Sequence, residues 1–308
     1  MKKMEFTPIY DREAQLEKDA LVASLLQDEI VLDWLHTYKQ DKSFVERHCY
    51  KFKDYVETKK KCKDCQGLMA CMQKQKGYIL ELKYDSVITK SVSACHYLYE
   101  KMNALAHAKN FLICDMSEDQ LQLSFEKIDM SKESVAYFKL VKEMRDATLK
   151  ASKDGFFLCG EPGSGKTYLA CCYVNAMAKQ GKKCAFVNVS NYMSTLKGKM
   201  YDKDAFAKQI DALKKADVVV FDDIGGECVS NWSRDDILLP ILNERMEKQQ
   251  TTLFTSNYSM DNLVLYYAAN SKLVNDIVGA KRHVERMKTL SIEKVINCIN
   301  RRVKKVEI

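Results

Sequence analysis

Apolar and charged positions alternate with helical spacing over the first sixty residues. In EAQLEKDALVASLLQDEIVLDWLHTY, Leu16, Ala20, Leu21, Ser24 and Leu25 share one helical face, which predicts an amphipathic helix. YILELKYDSVITK (78–90) reads as a strand pair, and residues 94–109 as a charged helix. From about residue 136 the pattern changes. Short, nearly continuous apolar runs now alternate with helical segments: GFFLC (155–159), KCAFVNV (183–189), DVVVFDD (217–223) and TTLFTSN (251–257). Strands buried on both faces of a parallel sheet produce such runs. The expected fold is therefore α/β: a parallel sheet flanked by helices over 136–308, preceded by a smaller, mainly helical domain over 1–110. Between them FLICDMSEDQLQLSFEKIDMSKES carries Ser and Asp cap candidates but no long period, so 111–135 reads as a linker.

Composition narrows the class. A chain of 308 residues supports one large or two modest cores. With 46% hydrophobic and 30% charged residues it is richer in apolar side chains than a disordered chain. The start, MKKMEFTPIYDREAQLEKD, has no apolar run behind its lysines, and no window offers about 18 consecutive apolar residues. Neither a secretory signal nor a membrane span is expected, and the cytoplasm is the expected compartment. In that compartment the 12 cysteines do not read as a disulfide framework. Cys159, Cys171 and Cys172 sit in apolar runs and read as small hydrophobes. The net charge of +7 suits phosphate-bearing partners and equally suits lysines on solvated faces.

The strongest chemical signal follows GFFLC. Residues Gly160, Glu161, Pro162, Gly163, Ser164, Gly165, Lys166 and Thr167 spell G-x-x-x-x-G-K-T between a strand and a helix that opens at Tyr168. The glycines let successive backbone N–H groups turn inward toward phosphate oxygens, and the helix N-terminus adds its positive end. Lys166 is expected to reach the β- and γ-phosphates of ATP, and the Thr167 hydroxyl to ligate Mg²⁺. DVVVFDD supports the same site. Asp222 at its end is the second expected Mg²⁺ group, and Asp223 is placed to orient or deprotonate an attacking water. The polar end of TTLFTSN offers Asn257 as an amide between the carboxylates and the γ-phosphate. Further on, Arg282 and Arg286 lie four apart on one helical face. An arginine there, Arg286 ahead of Arg282, is a candidate finger reaching a neighbouring subunit's nucleotide, which implies self-association on ATP binding. Arg301 or Arg302 is the candidate second sensor.

These segments together carry a resemblance. GEPGSGKTYLA, VVVFDDIGGE, ILNERMEKQQTTLFTSNYS and RHVERM, with LQLSFEKID upstream, resemble bacterial helicase loaders of the DnaI/DnaC type. Transposition ATPases of the IstB type share much of the same half. The resemblance implies a P-loop AAA+ ATPase core, with Asn257 as its first sensor. It also implies single-stranded DNA and a DnaB-type hexameric replicative helicase as partners, in a primosome-related role.

The stretch CKDCQGLMAC (62–71) remains to be placed. The C-x₂-C spacing of Cys62 and Cys65 supplies two zinc ligands from one turn, with Cys95 as a distal third. Cys71 is the first candidate for the fourth, with His96, His48 and Cys49 behind it. DnaI-type loaders resemble this chain in carrying such a zinc-bearing docking domain, but Ile79 stands where that family commonly has a histidine. A redox pair or inert cysteines are the other readings. At the level of function the rivals are a transposition helper ATPase, an ATP-switched interaction protein with little turnover, and a small-molecule P-loop kinase.

Overall fold

The computed structural model describes residues 12–131, 133–150, 152–270 and 276–297. The chain divides into two compact units between Asn103 and Ala104.

In the first unit the predicted amphipathic helix is broken in two, α1 (Arg12–Leu25) and α2 (Glu29–Thr37). Asp28 causes the break: its carboxylate caps α2 by accepting from the Ile30 N–H at 3.0 Å. The buried face of α1 is Val22 and Leu25, whereas Leu16 is exposed. Asp41 caps α3 (Lys42–Cys62) in the same manner. The antiparallel pair β1 (Tyr78–Asp85) and β2 (Val87–Ala94) and helix α4 (His96–Ala104) complete the unit. Its core is aromatic. Trp34 stacks on Phe44, meets Phe52 edge-on and donates its indole N–H to the Leu82 carbonyl at 2.9 Å, which ties α2 to β1.

The second unit is built on a six-stranded, all-parallel sheet. Its strands are β3 (Phe111–Cys114), β4 (Gly155–Cys159), β5 (Cys184–Asn188), β6 (Val218–Asp222), β7 (Thr251–Ser256) and β8 (Ser291–Val295), in the order β3-β5-β6-β7-β4-β8. The four apolar runs became the four central strands, and both faces are covered. Phe157, Val219, Phe221 and Phe254 pack toward one helical layer, while Phe156, Leu158, Val218, Val220 and Leu253 pack toward the other. The first layer comprises α8 (Val189–Gly198), α9 (Lys203–Lys215), α10 (Leu239–Glu247), α11 (Met260–Ala269) and α12 (Ile277–Leu290). The second comprises α6 (Val135–Leu149) and α7 (Lys166–Lys179). The short α5 (Glu118–Leu121) lies between β3 and α6 in the chain and carries a Ser117–Gln120 capping box.

The expected linker 111–135 is corrected here. FLIC forms the edge strand β3 against β5, and Met116 and Phe125 are buried in the second core layer. A four-residue edge strand is too short to show a period in sequence. SIEKV, which the sequence did not mark as a strand, forms the opposite edge β8 beside β4. The cysteines in apolar runs pack as hydrophobes, and burial pushes the thiols of Cys159, Cys172 and Cys184 up to about 12.

α12 buries His283 completely, its ring edge-on to Tyr267, and neither ring nitrogen has a hydrogen-bond partner among the described residues. Desolvation, reinforced by the Arg234 guanidinium, pulls the imidazole down to about 3; Asp235 acts oppositely and Arg282 in the same direction. The unfolded chain therefore binds a proton near pH 6.5 that the folded chain refuses. This contribution to stability is whole above pH 6.5 and is lost as pH falls from there toward 3, at up to about 1.4 kcal/mol per pH unit. His283→Leu is expected to flatten the fall in urea midpoint between pH 7.5 and 5.5. An unchanged pH slope in that variant would count against a buried neutral imidazole.

Candidate functional site

The carboxyl ends of β4, β5, β6 and β7 surround a cleft of about 420 Å³. Open parallel α/β sheets bind ligands in this place. Its walls are Pro162, Gly163, Gly165, Lys166, Thr167 and Tyr168 on one side, and Asn188, Asp222, Asp223, Thr255 and Asn257 on the other.

The loop from Gly160 to Gly165 leaves β4 and runs into α7. Gly165 has φ +98°, a left-handed conformation that favours glycine, and it places Lys166 at the first turn of α7. No side chain caps α7, and the positive end of the helix faces the cleft. The Lys166 ammonium is nearly buried and donates to the Gly160 and Glu161 carbonyls at 2.8 and 2.9 Å. Those two loop residues thus act through their backbone oxygens. Ser164 is buried and does not line the cleft.

Across the cleft, Asp222 Oδ1 accepts from two hydroxyls, Thr167 at 2.8 Å and Thr255 at 2.7 Å. Burial pushes the Asp222 carboxyl up, and these two hydrogen bonds pull against it. One hydroxyl and one carboxylate facing each other fit a hard divalent cation that takes its other ligands from water and phosphate. Asp223 is the next residue, with φ +60°. Its N–H donates to Thr255 Oγ1 at 2.9 Å, and its Oδ1 faces the Asn257 amide at 3.4 Å. Strand alternation puts Thr255 and Asn257 on one side, so β7 serves both carboxylates. This arrangement can hold a polyphosphate against Lys166 and the helix end, with a carboxylate and an amide at its far end.

Thr255 and Asn188 were not singled out from the sequence. Both sit at the carboxyl ends of central strands of the sheet, and that position was the available signal. The arginines behave differently. Arg286 donates from Nε to Asn243 Oδ1 on α10 at 2.9 Å, Arg282 is exposed, and neither lines the cleft. Arg301 and Arg302 lie outside the described residues.

Three of the four cysteines expected to bind zinc make hydrogen bonds within residues 62–77. Cys62 Sγ accepts from Gln73 Nε2 at 3.1 Å, Cys71 Sγ from the Gly77 N–H at 3.4 Å, and the Cys65 thiol donates to the Gly67 carbonyl at 3.7 Å. Cys95 joins this loop through its backbone N–H, which donates to the Gly77 carbonyl at 2.7 Å. The N–H groups of Gly77 and Gln73 hold the Cys71 thiol below its usual range. Of the alternatives, His96 pairs with Glu100, His48 packs on Phe44, and Cys49 is in the core. Among the described residues no three His, Cys, Asp or Glu side chains converge on a metal position. Ile79, on β1, supplies no ligand.

Comparison with known proteins agrees with the cleft. Over 296 residues, 94% of either chain, the sequence is 26% identical to the replicative helicase loader DnaI of Bacillus subtilis (strain 168). Over 109 residues, 35% of this chain and 44% of the relative, it is 27% identical to the replicative helicase loader DnaC of Escherichia coli (strain K12). A crystal structure of DnaI superposes with a TM-score of 0.52 at 26% identity, covering 64% of this chain and 99% of that one. A putative primosome component from Streptococcus pyogenes serotype M3 gives the same TM-score at 25% identity, covering 64% and 98%. The family described as IstB-like ATP binding protein matches residues 95–293, including every residue that lines the cleft. The chain is thus a homologue of the DnaI and DnaC helicase loaders and belongs to the IstB-like ATP binding protein family.

Proposed function

We propose that this chain is an ATP-hydrolysing loader that delivers a DnaB-type replicative helicase to single-stranded DNA. The observation that carries the proposal is the extent of the DnaI similarity. It runs over 94% of both chains and so includes the front unit, whereas the IstB-like match begins only at residue 95. A transposition helper sharing only the ATP-binding half has no reason to match that front unit.

In the ATPase unit, assigned to the AAA+ class with β7 inserted between β4 and β6, the loop N–H groups and Lys166 bind the ATP phosphates. Thr167 and Asp222 hold the magnesium ion, which when bound neutralises charge on the phosphate oxygens. Asp223 orients the attacking water and takes its proton, and Asn257 fixes that carboxylate from β7. Arg286 is the finger offered to a neighbouring subunit; reaching it requires exchange of its bond to Asn243. The front unit docks the helicase. Among the described residues no helix is long and apolar enough to cross a membrane.

The test is co-purification of the full chain with the replicative helicase of the same cell, with and without ATP, followed by helicase unwinding from a single-stranded gap. Helicase capture and ATP-stimulated unwinding are expected. Capture of a transposase in place of the helicase would transfer the chain to the transposition helpers.

A further inference from the structure

We propose that Glu227 is a positioning residue for ATP hydrolysis, holding the turn that aims the Asp223 carboxylate. The proposal rests on the role given to Asp223 above.

After β6 the chain makes a tight turn through Asp223, Ile224, Gly225 and Gly226. Asp223 takes φ +60°, a conformation that costs a non-glycine residue on the order of 1 kcal/mol and persists only where its surroundings enforce it. Part of that enforcement comes from β7. Thr255 accepts the N–H groups of Asp223 and Ile224 at 2.9 and 2.8 Å, and the Ser256 hydroxyl donates to the Ile224 carbonyl at 2.7 Å. Beside the Gly226 N–H bond to the Asp223 carbonyl at 3.0 Å, a further part comes from Glu227, which is 4% exposed and does not line the cleft. Its Oε2 accepts the Gly225 N–H at 2.6 Å, and its Oε1 accepts the Tyr267 hydroxyl of α11 at 2.8 Å. Gly225 itself has φ +89°, and a Cβ there would lie 2.9 Å from the Leu263 side chain. The turn therefore closes only as glycine, with its N–H pinned.

A carboxylate in a nearly dry site, without a cationic partner among the described residues, is a costly group to keep. Burial pushes it up from the usual carboxylate range, against the bonds from its own backbone, Tyr267 and Gly225. A purely structural turn closes without that cost by leaving the amide to water. Here the bond converts the fixed position of α11 into a fixed direction for the residue two places before Gly225. An activating carboxylate displaced by about 1 Å loses on the order of 100-fold in rate.

The experiment compares Glu227→Gln, Tyr267→Phe, Asp223→Asn and the Glu227→Gln/Asp223→Asn double variant. Gln keeps the shape and supplies only one acceptor oxygen. Expected are a kcat for Glu227→Gln about 10- to 100-fold lower with KM for ATP within about twofold, a smaller fall for Tyr267→Phe, and no further fall on adding Glu227→Gln to Asp223→Asn. Hydrogen exchange over residues 221–228 is a readout independent of turnover, and protection there is expected to fall in Glu227→Gln while the central strands keep theirs. Unchanged protection overturns the proposal. So does a fall in kcat with a matching rise in KM, or an additive double variant, since either marks a general loss of fold. If Asp223→Asn slows hydrolysis and Glu227→Gln does not, Glu227 alone loses its role. If Asp223→Asn leaves hydrolysis intact, the assignment of Asp223 fails and Glu227 with it.

Discussion

Replacing Lys166 with alanine is expected to lower ATP turnover at least about 100-fold and to weaken ATP binding severely. The ammonium is nearly buried at the first turn of α7 and is held by the Gly160 and Glu161 carbonyls, both within its own loop. It is therefore already placed at the cleft before any nucleotide arrives. A charge-assisted hydrogen bond to a phosphate contributes about 1.5–3 kcal/mol, more where water is excluded. Alanine removes that donor together with its bonds to the loop carbonyls. The two bonds lost lie in the loop after β4 and not between strands of the sheet. Binding of a fluorescent ATP analogue and phosphate release by the purified variant measure the two effects. Turnover within a factor of ten of the unsubstituted chain would remove the cleft from the reaction.

The largest effect on stability is expected at Arg245, which the sequence shows only as the arginine of ILNERM. It is fully buried on α10. Its guanidinium donates to Thr252 Oγ1 at 2.9 Å, to the Leu213 and Ala216 carbonyls at 2.7 and 2.9 Å, and to the Thr251 carbonyl at 2.7 Å. One side chain thus joins α10, the C-terminal end of α9 and the start of β7. No carboxylate pairs with it in these bonds. The negative end of α9 is what makes a buried cation tolerable, through carbonyls that the helix itself leaves unpaired. Desolvation pulls the group down to about 9, which leaves it charged at neutral pH. Arg245→Met strands three buried carbonyls, and each unmet acceptor costs about 1–3 kcal/mol. A loss of unfolding free energy on the order of 3–5 kcal/mol is expected in urea titration. Arg245→Lys is expected to recover little, since one ammonium on a flexible stem cannot reproduce the fork. A loss below about 1 kcal/mol in the methionine variant would show that the bonds are replaceable by water.

Local chemistry was legible wherever it repeats along the chain. GFFLC, KCAFVNV, DVVVFDD and TTLFTSN gave strands because burial on two faces demands continuous apolar runs. G-x-x-x-x-G-K-T located the phosphate loop because its glycines and its lysine answer to the backbone geometry of one short turn. Short elements that only pairing makes into strands, β3 and β8, were missed for the same reason. A segment of four or five residues has no period, and the partner strand that defines it lies far along the chain. The cysteine stretch shows what a spacing supplies: C-x₂-C names candidate ligands, and the fold adds the bonds that Gln73, Gly77 and Gly67 make to their sulfurs.

By itself, then, the sequence determined the strands of the sheet centre, the phosphate loop with Lys166 and Thr167, and the two carboxylates at the end of β6. Each depends on residues within a few positions of one another, which a single chain segment controls. Only the tertiary structure decided which groups oppose them across the cleft. The order β5-β6-β7-β4 brings Asn188, Thr255 and Asn257 to the carboxylates and puts Thr167 within 2.8 Å of Asp222. It also decided that Arg286 meets Asn243, that Arg245 closes onto α9, and that Glu227 reaches Tyr267 from forty positions away. These contacts join residues far apart in the chain, and their positions follow from strand order and helix packing, which no local pattern encodes.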